Sequence, residues 1–177
     1  MAEHAAFLRG MNVGGHRITN DELRTHLTEM GLREVATFRA SGNVVFDGGS
    51  GSHLKMQQQI EKGLQAALGY AVPTFVRDSD EVLEIAAAAP IEQGSSTGKL
   101  QVGLLAEAPS AKARNGVLAL ESEQDRLAFG KRELYWLPQG PMNDSELDFK
   151  AIGALLGVMT ARTKNTIEQI AARYFAG

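Results

Sequence analysis

Hydrophobic and polar positions over the first 77 residues follow two different periods. Short apolar runs rich in β-branched and aromatic residues alternate with longer segments whose apolar residues recur every three or four positions. The runs predict strands and the longer segments predict helices, in the order strand 4–9, helix 20–30, strand 35–38, strand 44–46, helix 52–68 and strand 72–76. This β-α-β-β-α-β order is the split βαβ pattern of ferredoxin-like domains.

The second half of the chain repeats this order of elements without repeating the sequence. An Ala-rich helix over 79–89 ends at Pro90, and the stretch 92–98, rich in Gly and Ser, is typical of a linker. The elements predicted after the linker are a strand over 100–105, a helix capped by Ser110, a hairpin of strands 126–129 and 134–137, a helix capped by Ser145, a short strand over 158–160 and a last helix from Thr163 or Lys164 to Phe175.

We therefore predict an α+β protein of two ferredoxin-like βαββαβ halves, each an α/β sandwich with an antiparallel sheet. The N-terminal half covers residues 1–77, a connecting helix and linker cover 78–98, and the C-terminal half with an extra C-terminal helix covers 99–177.

Composition narrows the class of protein. A chain of 177 residues with 44% hydrophobic and 22% charged residues is typical of a globular protein that buries its own core. A net charge of −3 gives no strong attraction to polyanions, and the lack of cysteine excludes disulfide scaffolds, zinc–thiolate sites and a cysteine nucleophile. Because there is neither a secretory signal pattern nor an apolar run near the ~20 residues that span a bilayer, we expect a cytoplasmic protein with no membrane partner.

Polar residues gather in two loops that the predicted topology brings together. The first two strands of a βαββαβ unit run in the same direction, so the Gly-rich loop 10–17 and the turn 41–43 lie at the same end of the sheet. The candidate ligand-binding residues at this end are Arg9, Asn12, Gly14, Gly15, Arg39, Ser41 and Asn43. Glycine amides and the N-terminus of the next helix would favour an anion there. The structural alternative is that the glycines serve only the turns and the arginines are solvated or ion-paired.

Three motifs resemble those of a known bacterial family. FLRGMNVGG over 7–15, SGNVVF over 41–46 and TARTKNT over 160–166 are similar in order and spacing to the signatures of the family catalogued as domain of unknown function 1697. The third motif departs from the family pattern at Thr163 and Lys164, where the family usually has Asn-Trp. The resemblance implies a ferredoxin-like α+β arrangement and no agreed activity. The polar residues that match the motifs are Arg9, Asn12, Ser41, Asn43, Arg162 and Asn165.

Other features of the sequence favour no specific chemistry. The segment 94–99 has one residue too few between its glycines for a phosphate loop, and the four histidines contain no pair four residues apart, so we expect no metal site. Tyr135 and Trp136 alternate on a predicted strand, and an exposed ring there could stack on a nucleobase. Arg162 is placed by the pattern at the N-terminus of the last helix, where a cation is unfavourable unless it pairs or binds an anion.

We therefore expect the binding of a small anionic ligand that carries a phosphate, a carboxylate or a nucleotide. Guanidinium and amide groups at both loops suit this binding better than proton transfer, with Arg162 and Asn165 joining the site from the C-terminal half. Two alternatives remain open, a nucleic-acid-binding module and a protein–protein interaction domain without catalysis. We expect no cofactor and no metal, and the sequence leaves open both the oligomeric state and whether the protein is an enzyme.

Overall fold

The fold is described by a computed structural model that covers residues 2–11, 14–39, 42–49 and 51–176. The chain forms two compact units, one made of Met1–Glu84 with Gln169–Gly177 and the other of Ile85–Glu168. The boundaries at 77 and 98 drawn from the sequence remain a prediction about how the two halves are organised. No helix in the described ranges is long and apolar enough to cross a membrane.

The first unit contains one four-stranded antiparallel sheet in the order β2-β3-β1-β4. Its elements are β1 His4–Leu8, α1 Asn20–Glu29, β2 Arg33–Thr37, β3 Asn43–Asp47, α2 His53–Leu68 and β4 Thr74–Asp78. The helix α3 Ser79–Ala87 begins in this unit and ends in the second. The predicted helices α1 and α2 are confirmed, and both are capped, since Thr19 Oγ1 accepts from Glu22 N and Ser52 Oγ accepts from Lys55 N. The order of elements confirms the predicted βαββαβ pattern.

The core of the first unit lies between one face of this sheet and the two helices. Alternate residues of β1 and β3 point into it, because successive side chains of a strand face opposite sides. The buried residues of this core include Ala6, Leu8, Val44 and Phe46 from the strands and Leu23, Leu27, Ile60 and Leu64 from the helices. The core therefore fixes the positions of the strand ends on which the candidate loops are mounted.

The second unit repeats the architecture with a sheet in the order β6-β7-β5-β8, again antiparallel. Its elements are β5 Gln101–Leu105, α4 Ala111–Leu118, β6 Asp125–Phe129, β7 Glu133–Pro138, α5 Phe149–Leu156 and β8 Met159–Thr163. The helix α6 Lys164–Ile170 begins in this unit and ends in the first. Its core packs Val117, Leu127, Leu134, Trp136 and Ile152 together. The predicted fold class, α+β with two antiparallel sheets, is confirmed.

Two local predictions in the second unit are wrong. Ser145 does not cap α5, because Asp148 does so by accepting from Ala151 N at 2.9 Å. The strand predicted over 158–160 extends as β8 to Thr163, so Arg162 lies in a strand and not at a helix N-terminus. Thr163 ends this strand and its Oγ1 accepts from Thr166 N, as a helix cap would.

The end of the chain continues α6 as a short π-helix, Ala171–Phe175. Its wider turn is closed by Ala176 N, which donates to Ala171 O at 2.8 Å. The first unit includes this segment together with Gln169 and Ile170, whereas the second unit ends at Glu168.

Asp47 at the end of β3 makes the first unit sensitive to acid. The Gly48 amide donates to Asp47 Oδ1 at 2.7 Å and Arg33 donates to Oδ2 at 3.2 Å, which together hold the pKa of Asp47 below its usual value of 3.8. A carboxylate whose pKa is lower in the folded state stabilises the fold above its unfolded pKa, and this contribution is lost as the pH falls through the folded pKa. We expect Asp47→Asn to remove that contribution, so that its urea midpoint falls less than that of the wild type below pH 3.8.

The measurement is urea unfolding at a series of pH values. Glu29→Gln, which removes an exposed carboxylate on α1, serves as the control for a change of charge alone. Equal acid dependence in Asp47→Asn and Glu29→Gln would show that the Gly48 and Arg33 contacts do not matter for stability.

Candidate functional site

The two candidate loops meet at one end of the first sheet. β1 and β2 both run antiparallel to β3, so they run in the same direction and end at the same edge. Leu8 N, at the end of β1, donates to Gly42 O at 2.8 Å, which joins the strand to the connection between β2 and β3. The predicted meeting of these loops is confirmed.

The Gly-rich loop after β1 is described at both of its ends. Asn12 lies outside the described residues, whereas Arg9, Gly14 and Gly15 are described and exposed. Gly14 and Gly15 have φ of +61 and +86, and an added Cβ at either would find no atom within 4 Å. Glycine is favoured there by backbone conformation rather than by crowding, and the exposed backbone leaves room for an approaching ligand.

The segment after Gly15 is held by aromatic and backbone contacts. His16 stacks on Tyr70 with ring centroids 3.8 Å apart, and the Tyr70 hydroxyl donates to Met11 O at 3.2 Å. The exposed Arg17 donates from Nη1 to His16 O at 3.1 Å. Tyr70 follows α2 and therefore ties the loop to an element that the sequence analysis did not connect with the site.

Arg39, in the connection after β2, is held by contacts with Asn20, Gln169 and Phe38. Its backbone takes φ of +59, which is unusual for a residue with a side chain, and Asn20 Nδ2 donates to its carbonyl at 3.1 Å. Its guanidinium donates to Gln169 Oε1 and lies 5.3 Å from the centre of the Phe38 ring. The Arg39 side chain is exposed but anchored, so its charge is presented in a defined place.

Gln169 is a site residue that sequence reasoning missed. It lies 130 positions from Arg39, on the C-terminal segment that belongs to the first unit. The same segment carries Tyr174, whose ring meets Phe38 edge to face with centroids 6.5 Å apart. No motif or periodicity in the sequence points to these contacts, because they depend on how the chain returns to the first unit.

Asn43 has a structural role in the same connection. The residue is buried, its Nδ2 donates to Phe38 O at 3.0 Å, and its carbonyl accepts from Phe38 N at 2.9 Å. These bonds close the chain between β2 and β3, which favours the structural alternative for this residue. Ser41 lies outside the described residues, and its predicted role remains a prediction.

The third motif belongs mainly to the second unit. Arg162, paired with Val102 across β8 and β5, donates from Nη1 to Thr160 Oγ1 at 2.8 Å and to Ala161 O at 2.9 Å. Burial lowers the pKa of Arg162 to about 10. Asn165 is exposed in the first turn of α6. That these two residues join the loops of the first unit remains a prediction.

The aromatic residues considered for nucleic-acid binding are not exposed. Tyr135 and Trp136 are 3% and 7% exposed, so neither offers a ring for stacking on a base. Within the described ranges there is no group of three or more His, Cys, Asp or Glu residues that could hold a metal ion.

Comparisons with known proteins bear on the family and the fold. Residues 1–135 match the profile of the family described as "Protein of unknown function (DUF1697)", a stretch that includes the first two motifs but not the third. The chain is similar to the solved structure of the conserved bacterial protein SP0830 from Streptococcus pneumoniae, with a TM-score of 0.73, 20% identity and 97% of each chain covered. At that identity the similarity shows the fold alone. A search of curated proteins finds no significant match.

Proposed function

The chain belongs to the family described as protein of unknown function (DUF1697), and since that description assigns no activity, we propose from the structure that the protein binds a small anionic ligand. The ligand class is a molecule that carries a phosphate or a carboxylate, nucleotides included. The proposed site, called the arginine rim below, consists of Arg9, Arg17 and Arg39 with the exposed glycines 14 and 15. Asn12, Ser41, Arg162 and Asn165 remain part of the proposal on the ground of the motifs. The proposed setting is the cytoplasm, as the composition predicts.

The observation that carries this proposal is the anchoring of an exposed arginine where two loops meet. Leu8 N bonds to Gly42 O and Asn20 bonds to the Arg39 carbonyl, so the start of α1 and the end of β2 are held together. The Arg39 carbonyl accepts from Asn20, and the Arg39 guanidinium contacts the Gln169 amide and the Phe38 ring. Because these contacts already restrict Arg39, less conformational entropy is lost when a ligand binds.

The charge at the rim is also suited to an anion. The Arg39 guanidinium donates to the amide oxygen of Gln169, and the Arg17 guanidinium donates to the backbone carbonyl of His16. Arginine binds phosphate and carboxylate oxygens through paired N–H donors. Because the rim is exposed, solvent and salt screen it, and we expect affinities in the range of about 10 μM to 1 mM.

The test is binding of inorganic phosphate, pyrophosphate, ATP and citrate, followed by calorimetry and thermal shift at low salt. We expect at least one of these anions to raise the melting temperature. Arg39→Ala is expected to weaken that anion by about tenfold, since a hydrogen bond to a charged group is typically worth ~1.5–3 kcal/mol and the rim is exposed. Gln169→Glu, which places a carboxylate against Arg39, should weaken binding as well.

The matched control is Arg24→Ala. Arg24 is an exposed arginine of α1 in the same unit, paired with Asp21 one turn away, so its removal changes the net charge equally. Stabilisation by none of the anions, or equal affinity in Arg39→Ala and Arg24→Ala, would refute an arginine rim that recognises anions.

A further inference from the structure

A polar cleft of about 360 Å3 lies within the second unit. It opens at the end of the sheet where β5 and β6 begin and β7 ends, next to the turn 138–141. Its volume is near the lower end of the range of about 300–1,000 Å3 that is usual for small-molecule sites. Neither the motifs nor the proposed anion site involves this cleft.

One wall of the cleft is the segment 93–98, which the sequence predicts as part of a linker. Ser96 is 8% exposed and its Oγ donates to Pro138 O at 2.6 Å, while Thr97 N donates to Gln139 O at 2.9 Å. Gly98 packs so closely that an added Cβ would lie 2.3 Å from Pro138 O. Gln93 closes the segment by donating from Nε2 to Ser96 O at 2.8 Å. This wall is therefore fixed against the turn before any ligand arrives.

A second part of the cleft lining is held by a buried carboxylate. Asp125 is 3% exposed, and its Oδ1 accepts from Trp136 Nε1 at 2.8 Å and from Ser145 Oγ at 2.6 Å. Ser145 in turn accepts from Leu147 N at 3.1 Å, which fixes the loop between β7 and α5. Ser145 lines the cleft, so this part of the lining too is rigid, and little conformational entropy would be lost on binding.

The lining decides which ligands fit. It contains the hydroxyls of Ser95 and Thr97, the amides of Gln124 and Gln139, and the carboxylate of Asp144, with no Lys, Arg or His among the lining residues. Thr97 Oγ1 already donates to Gln139 O at 3.3 Å and Gln139 Nε2 to Ser95 Oγ at 3.4 Å, so the remaining acceptor positions of these groups face a ligand together with Gln124 and Asp144. An anion would find no cationic partner and would be repelled by Asp144, and an apolar ligand would bury polar groups without partners. A cation would meet only one negative charge, that of Asp144. Hydroxyl groups of a ligand suit the lining better, because they both donate and accept hydrogen bonds, as the amides and hydroxyls of the lining do.

We propose that this cleft binds a small polyhydroxylated molecule, such as a mono- or disaccharide or a sugar alcohol. Asp144 accepts from neighbouring hydroxyls of the ligand, and the Gln124 and Gln139 amides set its orientation. The site lies in the second unit and its chemistry is the opposite of the arginine rim, so the two proposals stand or fall separately.

The experiment is an NMR titration of the full-length protein, followed through its backbone amide shifts. The probes are glucose, maltose and sorbitol, each to about 50 mM, a range that covers dissociation constants expected for shallow polar sites. We expect at least one of them to shift the amides of Ser95, Thr97, Gln124 and Gln139 in a saturable way and to leave Gly14 and Gly15 unchanged. Inorganic phosphate should leave the cleft amides unshifted.

Two variants and a control make the test specific. Asp144→Asn is expected to weaken binding by about tenfold, because it removes a charge-assisted acceptor, and Gln124→Ala should weaken it less. Glu123→Gln, an exposed acidic residue beside the cleft that does not line it, should leave the affinity unchanged. No saturable shift with any of the three probes, shifts with phosphate at the cleft instead, or equal affinity in Asp144→Asn and Glu123→Gln would each overturn the proposal.

Discussion

Asp125→Ala is expected to lower the free energy of unfolding of the second unit by about 3 kcal/mol. The carboxylate accepts from both Trp136 Nε1 and Ser145 Oγ and is almost fully buried. Alanine would leave the indole N–H in the core without this acceptor and would open a small cavity. An unpaired buried donor costs about 1–3 kcal/mol, and the lost packing adds to that.

Tryptophan fluorescence gives a direct measurement, because Trp136 is the single tryptophan of the chain and lies in the core of the second unit. The variants to compare in urea are Asp125→Ala, Ser145→Ala and Asp144→Ala. Ser145→Ala removes one bond to the carboxylate and should cost about 1 kcal/mol, whereas Asp144→Ala removes only an exposed carboxylate and should cost less than about 0.5 kcal/mol. If Asp125→Ala unfolded at the same urea concentration as Asp144→Ala, the carboxylate would not hold this part of the cleft lining.

Gly42→Ala is expected to destabilise the first unit by about 2–3 kcal/mol, at the point where the two candidate loops join. Gly42 has φ of +75, and an added Cβ would lie 3.0 Å from both Leu8 Cβ and Leu8 O. The left-handed backbone alone costs a residue with a side chain about 1–2 kcal/mol. The contact with Leu8 adds to this cost, because one of the atoms is backbone that is fixed in β1.

Hydrogen exchange of the Leu8 amide reports this junction, since Leu8 N donates to Gly42 O. Gly69→Ala is the matched control, because Gly69 has φ of +83 but no atom within 4 Å of an added Cβ. Gly69→Ala should lower the free energy of unfolding by about 1 kcal/mol, through the left-handed backbone alone. The protection of the Leu8 amide from hydrogen exchange should not change. Equal losses of stability in Gly42→Ala and Gly69→Ala would mean that the close approach to Leu8 is relieved without cost.

The two results together test how the proposed sites are supported. Asp125 supports the cleft of the second unit and Gly42 supports the arginine rim of the first, and neither residue is part of the proposed contacts with a ligand. If Asp125→Ala and Gly42→Ala lower the free energy of unfolding but leave ligand affinity unchanged, both residues support the fold and do not bind the ligand.

Local rules predicted much of the fold from the sequence. The spacing of Leu23 and Leu27 predicts an amphipathic helix, and Ser52 predicts the start of α2, because both signals act over three or four residues. The same rule was wrong at Ser145, which satisfies the local pattern of a cap as well as Asp148 does. Its hydroxyl is instead bound to Asp125, 20 residues earlier in the chain, and the cap passes to Asp148.

The same difference between local and long-range contacts applies to the proposed sites. The meeting of the loops after β1 and β2 could be predicted, because the order of strands determines which ends share an edge. The anchoring of Arg39 by Gln169 could not, and neither could the attachment of residues 93–98 to the turn after β7, since these contacts join residues far apart in the chain.

The amino-acid sequence thus determines which elements form, in what order they follow, and which loops share an end, because periodicity, caps and strand order are local properties. The tertiary structure alone decides which polar side chains make hydrogen bonds within the core, as Asn43 and Asp125 do. It also decides which polar side chains are exposed to solvent, as those of Arg39 and Asp144 are. The physical reason is that a polar side chain takes the best partner within reach, and reach is set by packing rather than by position along the chain.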